Sequence, residues 1–297
     1  MKKKIAVIGS GIAGLTSAYF LQNDFEVTLF EKNDYLGGHA NTRTVKDSQN
    51  QNINIDTGFI VYNELTYPNL TKLFDQLDVP VVNSNMSFSF YNSKNLFEYG
   101  GGGLRALFAN PQNLWNWKFY RMLKDIIYFY KHFQNNEVSS SISIRQYLET
   151  KKFSHEFIYN HFLPLISSIW STPDANSLDQ PLSSIVSFFQ NHKLFNFINR
   201  PQWKTVSGGS RKYIQQIIQN AKFQIKKSIK IQKISRSSGI FLQTSGGDFH
   251  YDYLILACAP HLFLNVMNQK IDHEINILDS FLFQKNLAQL HNNSALM

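Results

Sequence analysis

Six residues near the N-terminus have the types and the spacing to hold a dinucleotide. Gly9, Ser10, Gly11, Ile12, Ala13 and Gly14 spell G-x-G-x-x-G directly after the apolar run Ile5 to Ile8. In such a turn the first glycine permits the tight bend. The second lets backbone approach a pyrophosphate, and the third lets a helix pack close to a sheet. The helix that follows offers unpaired N–H groups and the positive end of its dipole to phosphates. Glu31 lies 20 positions after Gly11, at the end of the apolar run Phe25 to Phe30, where an acid binds ribose hydroxyls. A lone glycine motif is weak evidence, because glycine also serves ordinary turns. Here strand, turn, helix, strand and acid fall in order. A second pair, Gly37-Gly38, follows Glu31 by six residues. It would let a loop lie against the pyrophosphate of an extended cofactor, whereas an NAD dehydrogenase usually passes from the acid into another βα unit.

These stretches resemble the flavin-containing amine oxidase superfamily, which includes monoamine oxidases, protoporphyrinogen oxidase and phytoene desaturases. The similarity is greatest to a bacterial subgroup of FAD-binding oxidoreductases. It rests on Leu36 to Thr42, Ile55 to Asn63, Thr66 to Leu70, Ile169 to Thr172 and Arg200 to Ser210. In that superfamily the glycine pair is usually followed by Arg, and here by His39. The resemblance implies an FAD site built from Gly9, Ser10, Gly11, Ile12, Ala13, Gly14, Glu31, Lys32, Gly37, Gly38, His39, Thr42, Asp56, Thr57, Gly58, Phe59 and Ile231. In it, Asp56-Thr57-Gly58-Phe59 forms a loop near the flavin ring, and Ile231 lays its backbone beside the adenine. The plainer reading of Asp56-Thr57-Gly58 is an Asp-x-Gly turn. Trp203 with Gly208-Gly209-Ser210 stands either against the cofactor and substrate cavity or as a helix-leading turn with Ser210 as the cap. Trp170 lines that cavity or packs in the core.

The elements that must position these residues imply an α/β fold. It is a Rossmann-like FAD-binding domain, discontinuous in sequence, with an inserted, mainly helical α+β substrate domain. Residues 1–65 and 205–265 form the cofactor domain; 66–204 and 266–297 form the substrate domain. Within the first, Val45 to Asn52 is a polar hairpin turn between strands. Thr66 to Leu77 reads as an amphipathic helix. Ser87 to Tyr91 and Leu96 to Tyr99 alternate like a hairpin. Trp115 to Phe133 is a long aromatic-rich helix, and Ser139-Ser140-Ser141 leads to another at Ile144 to Glu149. The sheet resumes near Phe223 and continues through Ile229–Ile234, Gly239–Thr244 and Phe249–Ala259. A helix over Glu274 to Phe281 and a strand over Gln284 to His291 close the chain. Members of the superfamily run on for roughly another domain-sized piece, so the resemblance implies a C-terminally shortened member.

The chain has 297 residues, 43% hydrophobic and 17% charged, enough for one large or two medium domains with a proper core. The net charge is +8, which raises nucleic acid or an anionic membrane as partners. The cations are scattered, however, and no nucleic-acid-binding signature accompanies them, so a solvated basic surface is expected and no nucleic acid. The helix at 115–133 mixes aromatics with Lys118, Arg121, Lys124 and Lys131. Peripheral contact with an inner membrane face is one reading. Aromatics nearly all round the helix favour burial between neighbours. One cysteine, Cys258, excludes a disulfide framework and fits a reducing cytoplasm. Lysines followed by small apolar residues at the N-terminus imitate a leader, but the glycine spacing reads as the cofactor strand.

No G-x-S-x-G, H-E-x-x-H or metal-ligand spacing occurs, and no metal is expected. His155 and His161 are six apart, which does not place them on one helix face. The expected activity is therefore FAD-dependent oxidation of a C–H bond in a small-molecule substrate, an amine or a hydrophobic compound, with the chemistry supplied by the flavin. Catalytic side chains are not identified. The alternatives are an inactive, shortened FAD-binding fragment with a structural or interaction role, and an NAD(P)-linked dehydrogenase.

Overall fold

The computed structural model describes residues 1–136, 138, 142–171, 177–269, 271–281, 283 and 287–292. Two compact units appear. One comprises Met1–Val61, Asn69–Val82 and Thr205–Met297; the other comprises Tyr62–Pro68 and Asn83–Lys204.

The first unit is built on a parallel sheet. Strand β1 (Lys4–Ile8) leads into helix α1 (Ile12–Leu21) and strand β2 (Glu26–Phe30). The hairpin β3 (Thr42–Lys46) and β4 (Asn52–Asp56) follows, then helix α2 (Pro68–Gln76). After the chain returns come helix α3 (Arg211–Gln219) and strands β5 (Gln224–Lys226), β6 (Ile231–Arg236), β7 (Ile240–Thr244), β8 (Gly247–Tyr251) and β9 (Tyr253–Leu256). Helices α4 (Pro260–Val266) and α5 (Asp272–Asp279) end it. The parallel sheet has the order β5-β2-β1-β9, with Ile5 opposite both Val27 and Tyr253. Its central strands are apolar on both faces, as strands covered on both sides must be. The antiparallel meander β6-β7-β8 packs Ile234 and Leu242 against Ala6, Ile8 and Phe30.

The two units depart from the sequence boundaries in three places, the first being residues 62–65, which group with the second unit. Phe74 of α2 packs its ring on Tyr213 of α3, at 5.5 Å, which draws 69–82 into the first unit. Beyond residue 265, Asn268 donates to the Ile234 carbonyl, and the Arg236 guanidinium grips both carboxylate oxygens of Glu274 at 2.7 Å. Leu287 to Asn292 carries no strand. A strand exists only through pairing, and Leu287 instead lies exposed. Gln284–Asn286 of that expected strand fall outside the described residues, as do Ser139–Ser141 and Thr172.

The second unit is held by rings. Its antiparallel hairpin pairs Ser89–Asn92 with Phe97–Gly100. Its longest helix, Trp117–Phe133, buries Phe119, Met122, Ile126, Phe129 and Phe133 on one face. The opposite face, with Trp117, Tyr120, Ile127 and Tyr128, is exposed. Burial all round is therefore not what forms: the aromatics that repeat every third or fourth residue go inward, and the rest face water. Helices Ile144–Thr150, Leu163–Trp170 and Leu182–Asn191 complete the core. Among the described residues no helix is long and apolar enough to cross a membrane.

Candidate functional site

The glycine motif lies between β1 and α1, and each glycine has its own reason. Gly9 has φ +103°, and a Cβ there would meet the Ala257 carbonyl oxygen at 2.6 Å. A Cβ on Gly14 would sit 1.8 Å from the Gly9 carbonyl oxygen, so α1 closes on the turn only because both side chains are absent. Gly11 differs. Its φ of −65° suits any residue, and a Cβ there meets nothing within 4 Å. Nothing in the protein requires glycine at position 11; a ligand lying against the turn would.

Ile12 and Ala13 are exposed at the start of α1, whose first-turn N–H groups have no intrahelical partner. Gly37 and Gly38 both have positive φ, and Gly38 comes so close to the turn that a Cβ would stand 2.9 Å from the Gly11 Cα. The Gly37 N–H donates to the Ser10 carbonyl at 3.0 Å. The two glycine segments that the sequence separates by more than twenty residues thus form one surface.

Glu31 is buried at the end of β2. Its Oε2 accepts the Ser10 N–H at 3.0 Å and the Ser10 hydroxyl at 2.6 Å; its Oε1 accepts the Asn33 N–H at 2.9 Å. The carboxylate therefore fixes the glycine turn itself, and Oε1, with a single donor, keeps acceptor capacity for one more. Lys32 points to solvent. The returning chain pairs with this segment: Glu31 N–H donates to the Lys226 carbonyl, Ser228 N–H to the Asn33 carbonyl and Ile229 N–H to the Glu31 carbonyl, all at 2.9 Å. Ile231 lies two residues on, half-buried, at the start of β6.

The segment after the glycine pair zips onto the loop that ends β4. Phe59 N–H donates to the His39 carbonyl at 3.1 Å, and Thr57 N–H to the Asn41 carbonyl at 3.0 Å. A Cβ on Gly58 would lie 2.0 Å from the His39 carbonyl oxygen, so the close approach that requires this glycine is to protein backbone. The His39 side chain is exposed. Asp56 collects a network. It accepts the Thr42 hydroxyl at 2.6 Å, the Ser210 hydroxyl at 2.7 Å and the Ser210 N–H at 2.8 Å. Thr42 Oγ1 in turn accepts the Arg211 N–H at 2.9 Å. Ser210 makes no side-chain cap to α3. Asp56 and Thr42, from the two strands of the β3–β4 hairpin, supply the acceptors that the helix start needs. Burial, with the nearby Asp56 charge, pushes the Tyr213 hydroxyl well above the usual range.

In the second unit the two tryptophans share one column of rings. Trp170 stands 4.8 Å from Phe188, Phe188 stacks on His192 at 4.0 Å, and His192 lies parallel to Trp203 at 6.2 Å. Trp203 is buried and Trp170 half-buried. His192 Nδ1 meets the Phe188 carbonyl at 2.9 Å, and Nε2 meets the Tyr67 hydroxyl at 3.2 Å. The sequence reading missed His192; its i, i+4 relation to Phe188 was the available signal. His161, which the sequence offered only as a poor metal partner for His155, is directed into the core by a π-turn at Ile158–Phe162. There Tyr99 holds Nδ1 at 2.8 Å and Tyr130 holds Nε2 at 3.2 Å. Burial holds the His161 imidazole down at about 3 and pushes the Tyr130 hydroxyl up to about 12. Burial likewise raises the Cys258 thiol to about 11, which suppresses thiolate chemistry. No cluster of three metal-ligating side chains occurs among the described residues.

The family described as an NAD(P)-binding Rossmann-like domain matches residues 7–77. No curated protein matches the chain. Among solved structures, the chain is 14% identical to a putrescine oxidase variant, with a TM-score of 0.70, over 94% of this chain and 63% of that one. It is 15% identical to a fatty acid isomerase of P. acnes, TM-score 0.61, over 93% and 63%. It is 18% identical to a protein assigned as a protoporphyrinogen oxidase from Exiguobacterium sp. 255-15, TM-score 0.61, over 89% and 61%. The fold is the one these three solved structures share. A Rossmann-like nucleotide-binding region carries a helical and β insertion, as in those structures. The chain spans about six-tenths of their length.

Proposed function

We propose that the first unit binds FAD and that the protein is an FAD-dependent oxidoreductase acting on a C–H bond of a small amine or hydrophobic substrate. The observation that carries this reading is the open Gly11, flanked by the Gly37-Gly38 loop and the start of α1. A side chain at position 11 would fill space that no protein atom uses, which fits a pyrophosphate lying there. The N–H groups of the first turn of α1 would meet its charge. Glu31, while holding Ser10, would accept a ribose hydroxyl at Oε1 and disfavour a 2′-phosphate. When bound, FAD supplies two-electron chemistry at its ring, taking a hydride from the substrate. The chain's part is to orient it and to keep water away.

The match of residues 7–77 favours NAD(P) as the second reading. The two are separated by titrating the purified chain with FAD, NAD and NADP in parallel, following flavin fluorescence and heat release. The proposal expects FAD to bind best and NADP worst. Tighter binding of NADP than of FAD contradicts it.

A further inference from the structure

The exposed face of helix Trp117–Phe133 carries one stripe: Trp117, Arg121, Lys124, Tyr128 and Lys131, at helical spacings of four, three, four and three. At its N-terminal end the chain places apolar side chains in water. Leu104 is 77%, Trp115 90% and Trp117 64% exposed. These positions are held rigidly. The Asn116 side chain caps the helix by accepting the Lys118 and Phe119 N–H groups, and the Tyr120 hydroxyl donates to the Leu114 carbonyl at 3.1 Å. Asn113 ties the preceding turn to the Glu98 carbonyl.

Along this stretch of chain the charge is one-sided, with Glu98 and Glu156 the acids beside it. Between Tyr99 and Asn136 stand Arg105, Lys118, Arg121, Lys124 and Lys131 against a single acid, Asp125. Asp125 is half-buried and spent on the N–H and hydroxyl of Ser154. Among the described residues, only Lys118 of these cations has a carboxylate within reach, Glu156 at 3.9 Å. Tryptophan and tyrosine settle at the level of lipid headgroups, and each nearby Lys or Arg adds attraction to an anionic leaflet. A polyanion such as nucleic acid would match the cations and leave Leu104, Leu114 and Trp115 in water.

We propose that this face docks on an anionic lipid surface, with Trp115 and Trp117 entering the headgroup layer and the Arg121–Lys124–Lys131 stripe lying on it. The inference does not depend on which cofactor the first unit holds.

Co-sedimentation with vesicles tests it. The chain should pellet with vesicles of equal parts phosphatidylglycerol and phosphatidylcholine, and far less with pure phosphatidylcholine. Added salt should release it, and tryptophan emission should shift to the blue on binding. The double variants Trp115→Ala/Trp117→Ala and Arg121→Glu/Lys124→Glu alter exposed side chains, and each should weaken binding about tenfold or more. Equal binding to both vesicle types, or binding unchanged in both double variants, overturns the proposal. So does self-association that the tryptophan variant abolishes in the absence of vesicle binding, or tighter binding to a single-stranded oligonucleotide than to the anionic vesicles. Should a variant unfold, the lipid and salt comparisons on the parent chain still decide.

Discussion

The two units solve the burial problem with different materials. Around Gly9–Gly14, order comes from backbone groups that touch because side chains are missing, and from a few acids, Glu31 and Asp56, that gather N–H and hydroxyl donors. Around Phe129, order comes from rings: Phe133, Tyr147, Phe153, Phe157, Phe162 and Phe195 all stand within 6.2 Å of it, centroid to centroid. The first arrangement forbids added atoms, and the second forbids lost ones. The first also leaves one position, Gly11, where an added atom has space.

That contrast can be broken most severely at Gly14. Gly14→Ala puts a methyl carbon 1.8 Å from the Gly9 carbonyl oxygen. It should cost about 3 kcal/mol or more, seen as loss of the cooperative thermal transition or of soluble protein. A melting curve like the parent's would show that α1 does not close on the turn as described. The opposite change in the second unit, Phe129→Ala, should cost about 3–5 kcal/mol, read by urea denaturation. A loss below about 1 kcal/mol would mean that the ring cluster is loose.

In the second unit, His161 makes stability depend on pH. His161 stays neutral in the folded chain down to about 3, while the unfolded chain takes up its proton near 6.5. The unfolded state therefore binds more protons below 6.5, so the stability due to neutral His161 is present above that pH and is lost as pH falls toward 3. The slope should approach about 1.4 kcal/mol per pH unit. Denaturation midpoints between pH 7 and 4 measure it, and His161→Gln should flatten the curve. Equal slopes in parent and variant would place His161 in contact with solvent.

The sequence made the first unit legible because each of its signals is local. The glycine spacing, the acid after β2 and the polar turn at 45–52 each describe a few neighbouring residues, and strand, turn and helix formed where the pattern placed them. What it could not convey was who needs each residue. Gly58 read as part of an Asp-x-Gly turn, and it also makes room for the His39 carbonyl; Ser210 read as a cap, and the acceptors are Asp56 and Thr42. These partners lie far apart in sequence and meet only once the hairpin and α3 are in place. The second unit was less legible for the same reason. Its aromatics are so numerous that burial depends on which face of a helix turns inward, and the π-turn that buries His161 has no simple sequence signature.

The smallest expected structural effect tests the largest functional claim. Gly11→Ala should leave stability within about 0.5 kcal/mol of the parent, since its φ suits alanine and the new methyl group meets no protein atom. It should nonetheless weaken FAD binding about tenfold or more, because that methyl group stands where the pyrophosphate must approach the turn. Flavin titration of parent and Gly11→Ala, beside their melting curves, measures both at once. Unchanged stability with lost flavin affinity is the predicted result; a stable Gly11→Ala protein that binds FAD as tightly as the parent would contradict the account.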